Sequence, residues 1–274
     1  MTGIVLAGRR NAGRLRSAAP EVAWEALVPL AGRPMASYVI AALQASAQIQ
    51  RVVVAGPPEL GGDGVLVVAP GDGVVDSLRN ALQAVPLDPA DAYLIATGDA
   101  PLLTGDAVDA LIGCARFRGL GFAYPVVPRV ACEARFPGVK RTYVRLRDGE
   151  FTGGNCFLLS AGALQVALGL LAEVYAARKR PWRLARLLGV GFSLRLVLGF
   201  AGVREAEAAA SRLLGCAAGA VLAEDAGIGV DVDTMEHLVW CRRVLESGGS
   251  VAAPPRGAAR DPQMAEGRGA PPRG

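Results

Sequence analysis

The chain has 274 residues, of which 52% are hydrophobic and 20% are charged, and this composition excludes a wholly disordered protein because it supplies a large buried core. The formal net charge is +4, and residues 252–274 contribute half of it, since they hold four arginines against two acidic residues. The basic balance is therefore poor evidence for binding to nucleic acid, and we expect no nucleic-acid partner.

The predicted elements alternate between short apolar strands and amphipathic helices. In chain order they are a strand at 4–7, a helix at 34–47, strands at 51–55 and 65–69, a helix at 76–85, a strand at 92–97, a helix at 106–117, strands at 121–126, 142–146 and 151–159, helices at 161–177 and 181–188, a strand at 194–198, a helix at 203–214, a strand at 228–232 and a helix at 234–246. Strands that are apolar on both faces and are followed by helices indicate an α/β fold. We predict a single-domain, Rossmann-like three-layer sandwich with a mostly parallel mixed sheet over residues 1–246, followed by a disordered Pro/Gly/Arg tail over 247–274.

Histidine is scarce and the cysteines are dispersed. His237 is the only histidine, so multi-histidine metal sites are excluded, and we assign it a structural role. The five cysteines form no Cys-x-x-Cys pair, which is typical of core residues in a reduced, cytoplasmic protein. Residues 151–172 carry no charge, but their polar and glycine residues favour a strand and a buried helix over a membrane span. We therefore expect a cytoplasmic protein with no membrane partner.

A glycine-containing loop with four arginines, residues 6–16, follows the first predicted strand. Ligands of open α/β sheets bind outside the carboxyl ends of the strands. Backbone N–H groups in such a loop can cradle phosphate oxygens, and arginines add bidentate charge. The loop fits neither Gly-x-Gly-x-x-Gly nor a P-loop, which argues against a dinucleotide dehydrogenase or an ATPase. A solvated arginine-rich turn is the alternative interpretation.

Acidic residues follow two further predicted strands. Asp99 comes directly after the strand at 92–97, where it could hold Mg²⁺ against substrate phosphates or simply cap the turn before Pro101. Asp231 and Asp233 alternate along the predicted strand end, so their carboxylates could share a cation. An N-cap role for Asp233 or Thr234 is equally compatible with this pattern.

Two basic clusters, residues 140–147 and 178–183, remain outside these loops. Each is explained by a solvated face or by charges that complement a helix C-terminus. The alternative hypothesis is a phosphate-bearing acceptor that lies between the clusters and is bound by Arg145 and Lys179.

The order of these motifs resembles the nucleotidyltransferase superfamily, and most of all the MobA-like NTP transferases, over about residues 3–246. The segments that carry the resemblance are Leu6-Ala7-Gly8, Val28-Pro29-Leu30-Ala31-Gly32-Arg33-Pro34-Met35, Gly98-Asp99-Ala100-Pro101-Leu102 and Asp231-Val232-Asp233-Thr234. The resemblance implies a fold of the nucleotide-diphospho-sugar transferase type. It also implies a Mg²⁺-dependent enzyme that transfers NMP from an NTP to a phosphate-bearing small-molecule acceptor and releases pyrophosphate, chemistry that depends on positioning and charge neutralisation.

The same resemblance implies roles for individual residues. The nucleotide-binding residues would be Leu6, Ala7, Gly8, Gly13, Asp76 and Ser77, and the metal ligands Asp99, Asp231 and Asp233. Catalytic positions would be Arg14, Arg16, Arg33 and Asp99, with Arg33 in the place of a lysine, an exchange that keeps charge but changes geometry. The acceptor would lie against Gly153, Gly154 and Asn155, whereas Arg145 and Lys179 are acceptor candidates only through the hypothesis on the basic clusters.

Glu25 departs from the family pattern, because family members commonly carry a lysine there in contact with the triphosphate. Loss of a charge-assisted contact costs roughly 1.5–3 kcal/mol, which corresponds to about 10- to 150-fold in rate or affinity. Either an arginine such as Arg10, Arg14 or Arg16 substitutes, or activity is weakened. The alternatives are therefore a catalytically weakened nucleotide- or sugar-phosphate-binding protein and, with less support, a metal-dependent glycosyltransferase.

Overall fold

The computed structural model describes residues 1–85, 91–139, 141–177 and 181–248 of the chain. The strands within these residues are β1 (Thr2–Leu6), β2 (Pro29–Leu30), β3 (Arg33–Pro34), β4 (Arg51–Ala55), β5 (Val65–Val68), β6 (Ala92–Thr97), β7 (Phe122–Pro128), β8 (Val144–Leu146), β9 (Gly149–Gly153), β10 (Cys156–Ser160) and β11 (Ala218–Leu222). The α-helices in the same ranges are α1 (Met35–Ala45), α2 (Val74–Gln83), α3 (Gly105–Phe117), α4 (Arg129–Arg135), α5 (Ala161–Ala177), α6 (Pro181–Leu188), α7 (Val190–Val197), α8 (Val203–Leu214) and α9 (Met235–Glu246).

One mixed sheet organises the molecule in the strand order β5-β4-β1-β6-β10-β7-β9-β8, with β11 paired to β7. The strands β5, β4, β1 and β6 run parallel to one another, whereas β10 is antiparallel to both β6 and β7. Strand β1 therefore lies between β4 and β6, and the carboxyl ends of β1 and β6 lie side by side. Ligands of such sheets bind at this edge.

Helices cover both faces of the sheet because the central strands are apolar on both sides. Neighbouring residues of β1 enter different cores: Ile4 packs in a cluster with residues of α2 and α5, and Val5 packs in a cluster with residues of α1, α3 and α9. Both side chains are fully buried, and each buried aliphatic side chain of this size contributes about 1.5–3 kcal/mol relative to exposure. This two-sided core confirms the predicted α/β fold with a mostly parallel mixed sheet.

Most of the predicted elements are present, but two predicted strands are wrong. Residues 194–198 belong mainly to α7, since the leucines that alternate there also recur at helical spacing from Val190. Residues 228–232 form no strand: a 3-10 helix, Ala226–Gly229, ends there, and the chain then crosses the carboxyl edge of the sheet. The sequence analysis also missed α4 and the short, small-residue strand β11.

The predicted strand at 151–159 is divided into β9 and β10 at Gly154 and Asn155. The Gly154 N–H donates to the Pro125 carbonyl at 2.8 Å, and the Asn155 N–H donates to the Ile228 carbonyl at 2.9 Å. This break lets β7 pair with β10 near its start and with β9 near its end. It also joins the loop that precedes α9 to the centre of the sheet.

The uncharged segment 151–172 contributes β10 and the first part of α5, as the sequence predicts. Among the described residues, no helix has both the length and the apolar character that crossing a membrane requires. Most of the tail predicted over 247–274 lies outside the described residues, as does Lys179.

Candidate functional site

A cavity of about 770 Å³ opens at the carboxyl ends of β1, β5 and β6. Its lining consists of the ends of these strands and the loops that follow them: Leu6, Gly8, Arg9, Arg10, Trp24, Pro70, Gly71, Asp72, Gly73, Val74, Ser77, Thr97 and Asp99. A cavity of about 890 Å³ between β7, β9 and α8 is larger, but its lining contains none of the predicted site residues. The predicted nucleotide-binding residues Leu6, Gly8 and Ser77 and the predicted metal ligand Asp99 lie instead in the lining of the cavity at the strand ends.

Glycines at two loops of this cavity allow backbone segments to approach closely. A Cβ atom on Gly8 would overlap the Pro70 ring, and a Cβ atom on Gly71 would overlap Asp76. The buried Ser77 hydroxyl accepts a hydrogen bond from the Gly71 N–H at 3.1 Å, so Ser77 fixes the loop and also lines the cavity. These contacts give Gly8 and Ser77 a structural explanation that is compatible with nucleotide binding nearby.

The structure distributes the other predicted nucleotide and basic residues differently. Asp76 is exposed and forms an ion pair with Arg79 at 2.6 Å, outside the cavity lining. The Arg33 guanidinium lies 5.0 Å from the centre of the Tyr38 ring. Arg14 and Arg16 are exposed and lie outside the lining as well. The arginines that line the cavity are Arg9 and Arg10, two of the four arginines of the loop at residues 6–16. The resemblance implied catalytic positions for Arg14 and Arg16 of that loop instead.

Asp99 lies on the floor of the cavity, directly after β6. Its side chain is half-buried, and its Oδ1 atom, which is buried, has no hydrogen-bond partner among the described residues. The Asp99 carbonyl accepts a hydrogen bond from the Val232 N–H at 2.9 Å, which ties the loop before α9 to the end of β6. Burial raises the pKa of the Asp99 carboxyl. A buried carboxylate oxygen of this kind is normally satisfied by water, an ion or a ligand, or has a catalytic role.

Asp231 and Asp233 lie together beside Asp99, in a loop and not in the predicted strand. The Asp231 Oδ1 atom accepts a hydrogen bond from Arg141 Nη2 at 3.0 Å. Burial raises the pKa of Asp231 to about 6, the hydrogen bond with Asp233 acts in the same direction, and Arg141 opposes both. Thr234 caps α9, since its hydroxyl accepts a hydrogen bond from the His237 N–H at 3.2 Å.

The neighbouring His237 ring has a lowered pKa, chiefly because of burial. Its Nδ1 atom accepts a hydrogen bond from the Asp233 N–H at 3.4 Å. The neutral imidazole therefore helps to hold the loop that carries the two aspartates.

The three carboxylates are of the ligand type that a hard divalent cation prefers. In the part of the chain that the structure describes, no three metal-binding side chains form a ready-made cluster. Mg²⁺ usually takes only one or two protein carboxylates and completes its shell with phosphates and water. Asp99, with its free oxygen, and the adjacent Asp231 and Asp233 supply carboxylates of this kind, and all three interact electrostatically with one another.

Glu25, the departure from the family pattern, is buried beside this cluster. Its Oε2 atom lies 3.1 Å from Arg9 Nε, and Arg9 Nη1 lies 3.2 Å from Asp233 Oδ1. Burial raises the pKa of Glu25, and the positive charge of Arg9 counteracts part of that rise. Gly13 faces the same carboxylate, because a Cβ atom there would lie 3.3 Å from Glu25 Oε1.

The predicted acceptor residues make contacts within the protein. A Cβ atom on Gly153 would overlap the Tyr124 ring, and one on Gly154 would overlap Pro125. The Asn155 amide donates to the Ile228 carbonyl at 3.3 Å. Arg145 is exposed on β8 near Gly199, and its acceptor role stays a prediction.

The sequence analysis missed Arg141, which pairs with Asp231. It lies in the basic segment 140–147, where a solvated face was the expectation, yet its side chain is only 7% exposed. No sequence signal distinguished it from the other arginines of that segment.

Known proteins are similar to this chain in sequence and in fold. The profile of the MobA-like NTP transferase domain matches residues 3–186. A hypothetical transferase from Thermus thermophilus is 42% identical, with a TM-score of 0.77, over 86% of this chain and 98% of that one. No curated protein matches the chain.

Two further solved structures share the fold at lower identity. CMP:2-keto-3-deoxy-manno-octonic acid synthetase in complex with CTP is 19% identical, with a TM-score of 0.54, over 90% of this chain and 99% of that one. 2-C-methyl-D-erythritol 4-phosphate cytidylyltransferase from Thermus thermophilus is 16% identical, with a TM-score of 0.51, over 89% and 98% of the two chains.

Proposed function

We propose a specific reaction for this chain, which belongs to the MobA-like NTP transferase family and is a nucleotidyltransferase. In the proposed reaction, which depends on Mg²⁺, the chain transfers NMP from an NTP to a phosphate-bearing small-molecule acceptor. An acceptor phosphate oxygen attacks the α-phosphorus of the NTP. The bond from the α-phosphorus to its bridging oxygen breaks, and pyrophosphate leaves with the electron pair. An ionised phosphate nucleophile carries no proton to remove, so the reaction requires positioning and charge neutralisation more than a general base.

The glycine-lined cavity supports the placement of the nucleotide. Gly8 and Gly71 bring two backbone segments together at the end of β1, and the α2 N-terminus begins beside them at Val74. Backbone N–H groups at a helix N-terminus favour negative charge, as phosphates require. A volume of about 770 Å³ lies within the range of small-ligand sites.

The carboxylates beside the cavity support the use of a divalent cation. Asp99 and one of Asp231 and Asp233 would hold Mg²⁺, which would neutralise charge on the triphosphate when bound. Contacts within the protein support this arrangement: the Val232 N–H donates to the Asp99 backbone carbonyl and so ties the two segments together, and Arg141 pairs with the Asp231 carboxylate.

The observation that carries this proposal is the buried, unpartnered Oδ1 atom of Asp99 at the cavity floor. We expect Asp99→Asn to lower pyrophosphate release roughly 100-fold or more, because an amide retains the shape but not the charge that a cation requires. The assay measures pyrophosphate release from each of the four NTPs with Mg²⁺, in the presence of phosphorylated small molecules or their unphosphorylated counterparts.

The matched control is Asp63→Asn, which changes an exposed loop carboxylate outside the cavity lining in the same chemical way. We expect turnover of this variant to stay within about twofold of the wild type, since isolated surface substitutions have small effects. Turnover that survives Asp99→Asn unchanged would contradict the mechanism.

Glu25 favours a second candidate, a nucleotide-binding protein of the same fold with weakened catalysis. A buried carboxylate beside a phosphate site opposes binding of the triphosphate unless it is neutralised. Calorimetric binding of an NTP without turnover would support this candidate. Turnover that appears in Glu25→Lys would show that the carboxylate is the cause.

The acceptor is the part of the proposal that rests on sequence pattern. Arg145 is exposed on β8, in the basic segment that precedes β9. If Arg145→Ala and Lys179→Ala both leave the KM for the acceptor unchanged, the acceptor does not bind between the two basic clusters. We further propose that the reaction takes place in the cytoplasm, where the five cysteines, all of them free thiols in the structure, would stay reduced.

A further inference from the structure

We propose that Arg9 binds the triphosphate of the NTP and that Glu25 is a positioning residue that holds the Arg9 guanidinium in place for this contact. This inference rests on the proposed function, because it concerns the nucleotide of that reaction. In this chain the pair of Arg9 and Glu25 would replace the single lysine that the family pattern places at position 25.

Arg9 is both anchored and available. It follows Gly8 at the end of β1 and lines the cavity, and its side chain is 64% exposed. Glu25 and Asp233 contact its Nε and Nη1 atoms at 3.1 and 3.2 Å. A guanidinium carries five N–H donors, so these two contacts fix its plane and leave donors for phosphate oxygens.

Glu25 contacts Arg9 through its backbone as well as through its side chain. The Glu25 N–H donates to the Arg9 carbonyl at 3.0 Å, and the Glu25 carboxylate, only 6% exposed, receives the guanidinium. A buried carboxylate is costly unless it is paired. The pair with Arg9 removes the repulsion that Glu25 alone would exert on a triphosphate, and it restricts the rotamers of a long side chain at the cavity wall.

The other arginines of this region are placed less favourably for the contact. The Arg10 guanidinium lies 3.8 Å from the centre of the Trp24 ring, and residues 10 and 24 also form a backbone bridge. Arg14 and Arg16 lie outside the lining of the cavity. Arg9 is therefore the arginine that combines a place on the cavity wall with an oriented guanidinium.

The test is calorimetric binding of the preferred NTP and of its NMP, with Mg²⁺, to the full-length chain. We expect Arg9→Ala to weaken NTP binding about 10- to 100-fold. Binding of the NMP, which lacks the β and γ phosphates, should change by less than about threefold. The control variant is Arg51→Ala, which removes an exposed arginine at the opposite end of the sheet. It should leave both affinities unchanged.

The role of Glu25 is tested in the double variant. Arg9→Ala leaves a buried carboxylate facing the phosphates, so Arg9→Ala/Glu25→Gln should bind NTP several-fold more tightly than Arg9→Ala alone. Glu25→Gln by itself should weaken NTP binding, because Arg9 loses its charged anchor. Arg9→Lys retains the positive charge and serves if the alanine variant fails to fold. It should still lose about 10-fold in NTP affinity, because one ammonium cannot replace the bridging guanidinium.

The outcomes separate this inference from the proposed function. A wild-type chain that binds none of the four NTPs refutes both. If the wild type binds NTP, and both Arg9→Ala and Arg9→Lys keep the wild-type ratio of NTP affinity to NMP affinity, the role of Arg9 is refuted and the proposed function is not. Glu25→Gln that binds NTP as tightly as the wild type overturns the positioning role of Glu25, and a double variant that binds NTP more weakly than Arg9→Ala overturns the repulsion by its unpaired carboxylate.

Discussion

The Gly8→Ala variant tests whether the loops that line the cavity pack as closely as the structure shows at the end of β1. A Cβ atom at position 8 would overlap Pro70 Cβ, well inside van der Waals contact, and would lie 3.4 Å from both Pro70 Cγ and the Ser77 hydroxyl. The Pro70 ring cannot rotate away as a flexible side chain would, so the loop after β5 must shift. Overpacking of this kind typically costs about 1–3 kcal/mol, which for a chain of this size lowers Tm by roughly 2–10 °C.

The same shift should narrow the cavity and weaken NTP binding by about 10-fold or more, since binding depends strongly on the close approach of backbone to phosphate. Differential scanning calorimetry measures Tm, and isothermal calorimetry measures NTP affinity. The control is Gly113→Ala in α3, where a Cβ atom meets nothing within 4 Å. An exposed helical glycine should gain about 0.5–1 kcal/mol on this substitution. If Gly8→Ala melts and binds NTP as the wild type does, the proposed contact between Gly8 and Pro70 is wrong.

Three further predictions concern the surroundings of the cavity. Arg141→Ala should lower the free energy of unfolding by an amount near the lower end of the roughly 3–5 kcal/mol that a broken buried ion pair costs, because the Asp231 side chain is 28% exposed. Chemical denaturation should show that Arg141→Met/Asp231→Asn recovers most of this loss. Burial raises the pKa of the Cys156 thiol to about 12, so alkylation followed by mass spectrometry at pH 8 should label half-buried Cys114 well before Cys156, and equal rates would contradict the packing of β10. Thr234→Ala removes the α9 cap and should cost about 1 kcal/mol in the free energy of unfolding, whereas Thr234→Ser should restore most of it.

The regular elements were largely predictable because their signals are local. The predicted bounds of β4, β6, α5, α6 and α8 match the structure. In these segments the apolar period agrees with the positions of neighbouring glycines such as Gly56, Gly98 and Gly215. Residues 194–198 and 228–232 were mispredicted because alternation over five residues is short enough to occur in a helix or in a loop that crosses the sheet edge. Tertiary contacts decide between such alternatives.

The sequence likewise predicted some features of the candidate site and left others to the structure. Position after a strand was enough to single out Asp99, and motif order was enough to predict the family, because both depend on spacing along the chain. The sequence also showed that Glu25 departs from the family pattern. It did not show that Glu25 pairs with Arg9, that Asp231 pairs with Arg141, or that Arg14 and Arg16 lie outside the cavity lining.

Two of the ion pairs at the site join residues that are far apart in sequence and meet only in the folded chain. Arg9 and Asp233 are separated by 224 positions, and Arg141 and Asp231 by 90. The sequence by itself determined which residue types stand at the strand ends, because local pattern fixes where strands end. The tertiary structure alone decided which charges neutralise one another, because an ion pair depends on distance and burial in space, and neither quantity is written in the spacing of residues along the chain.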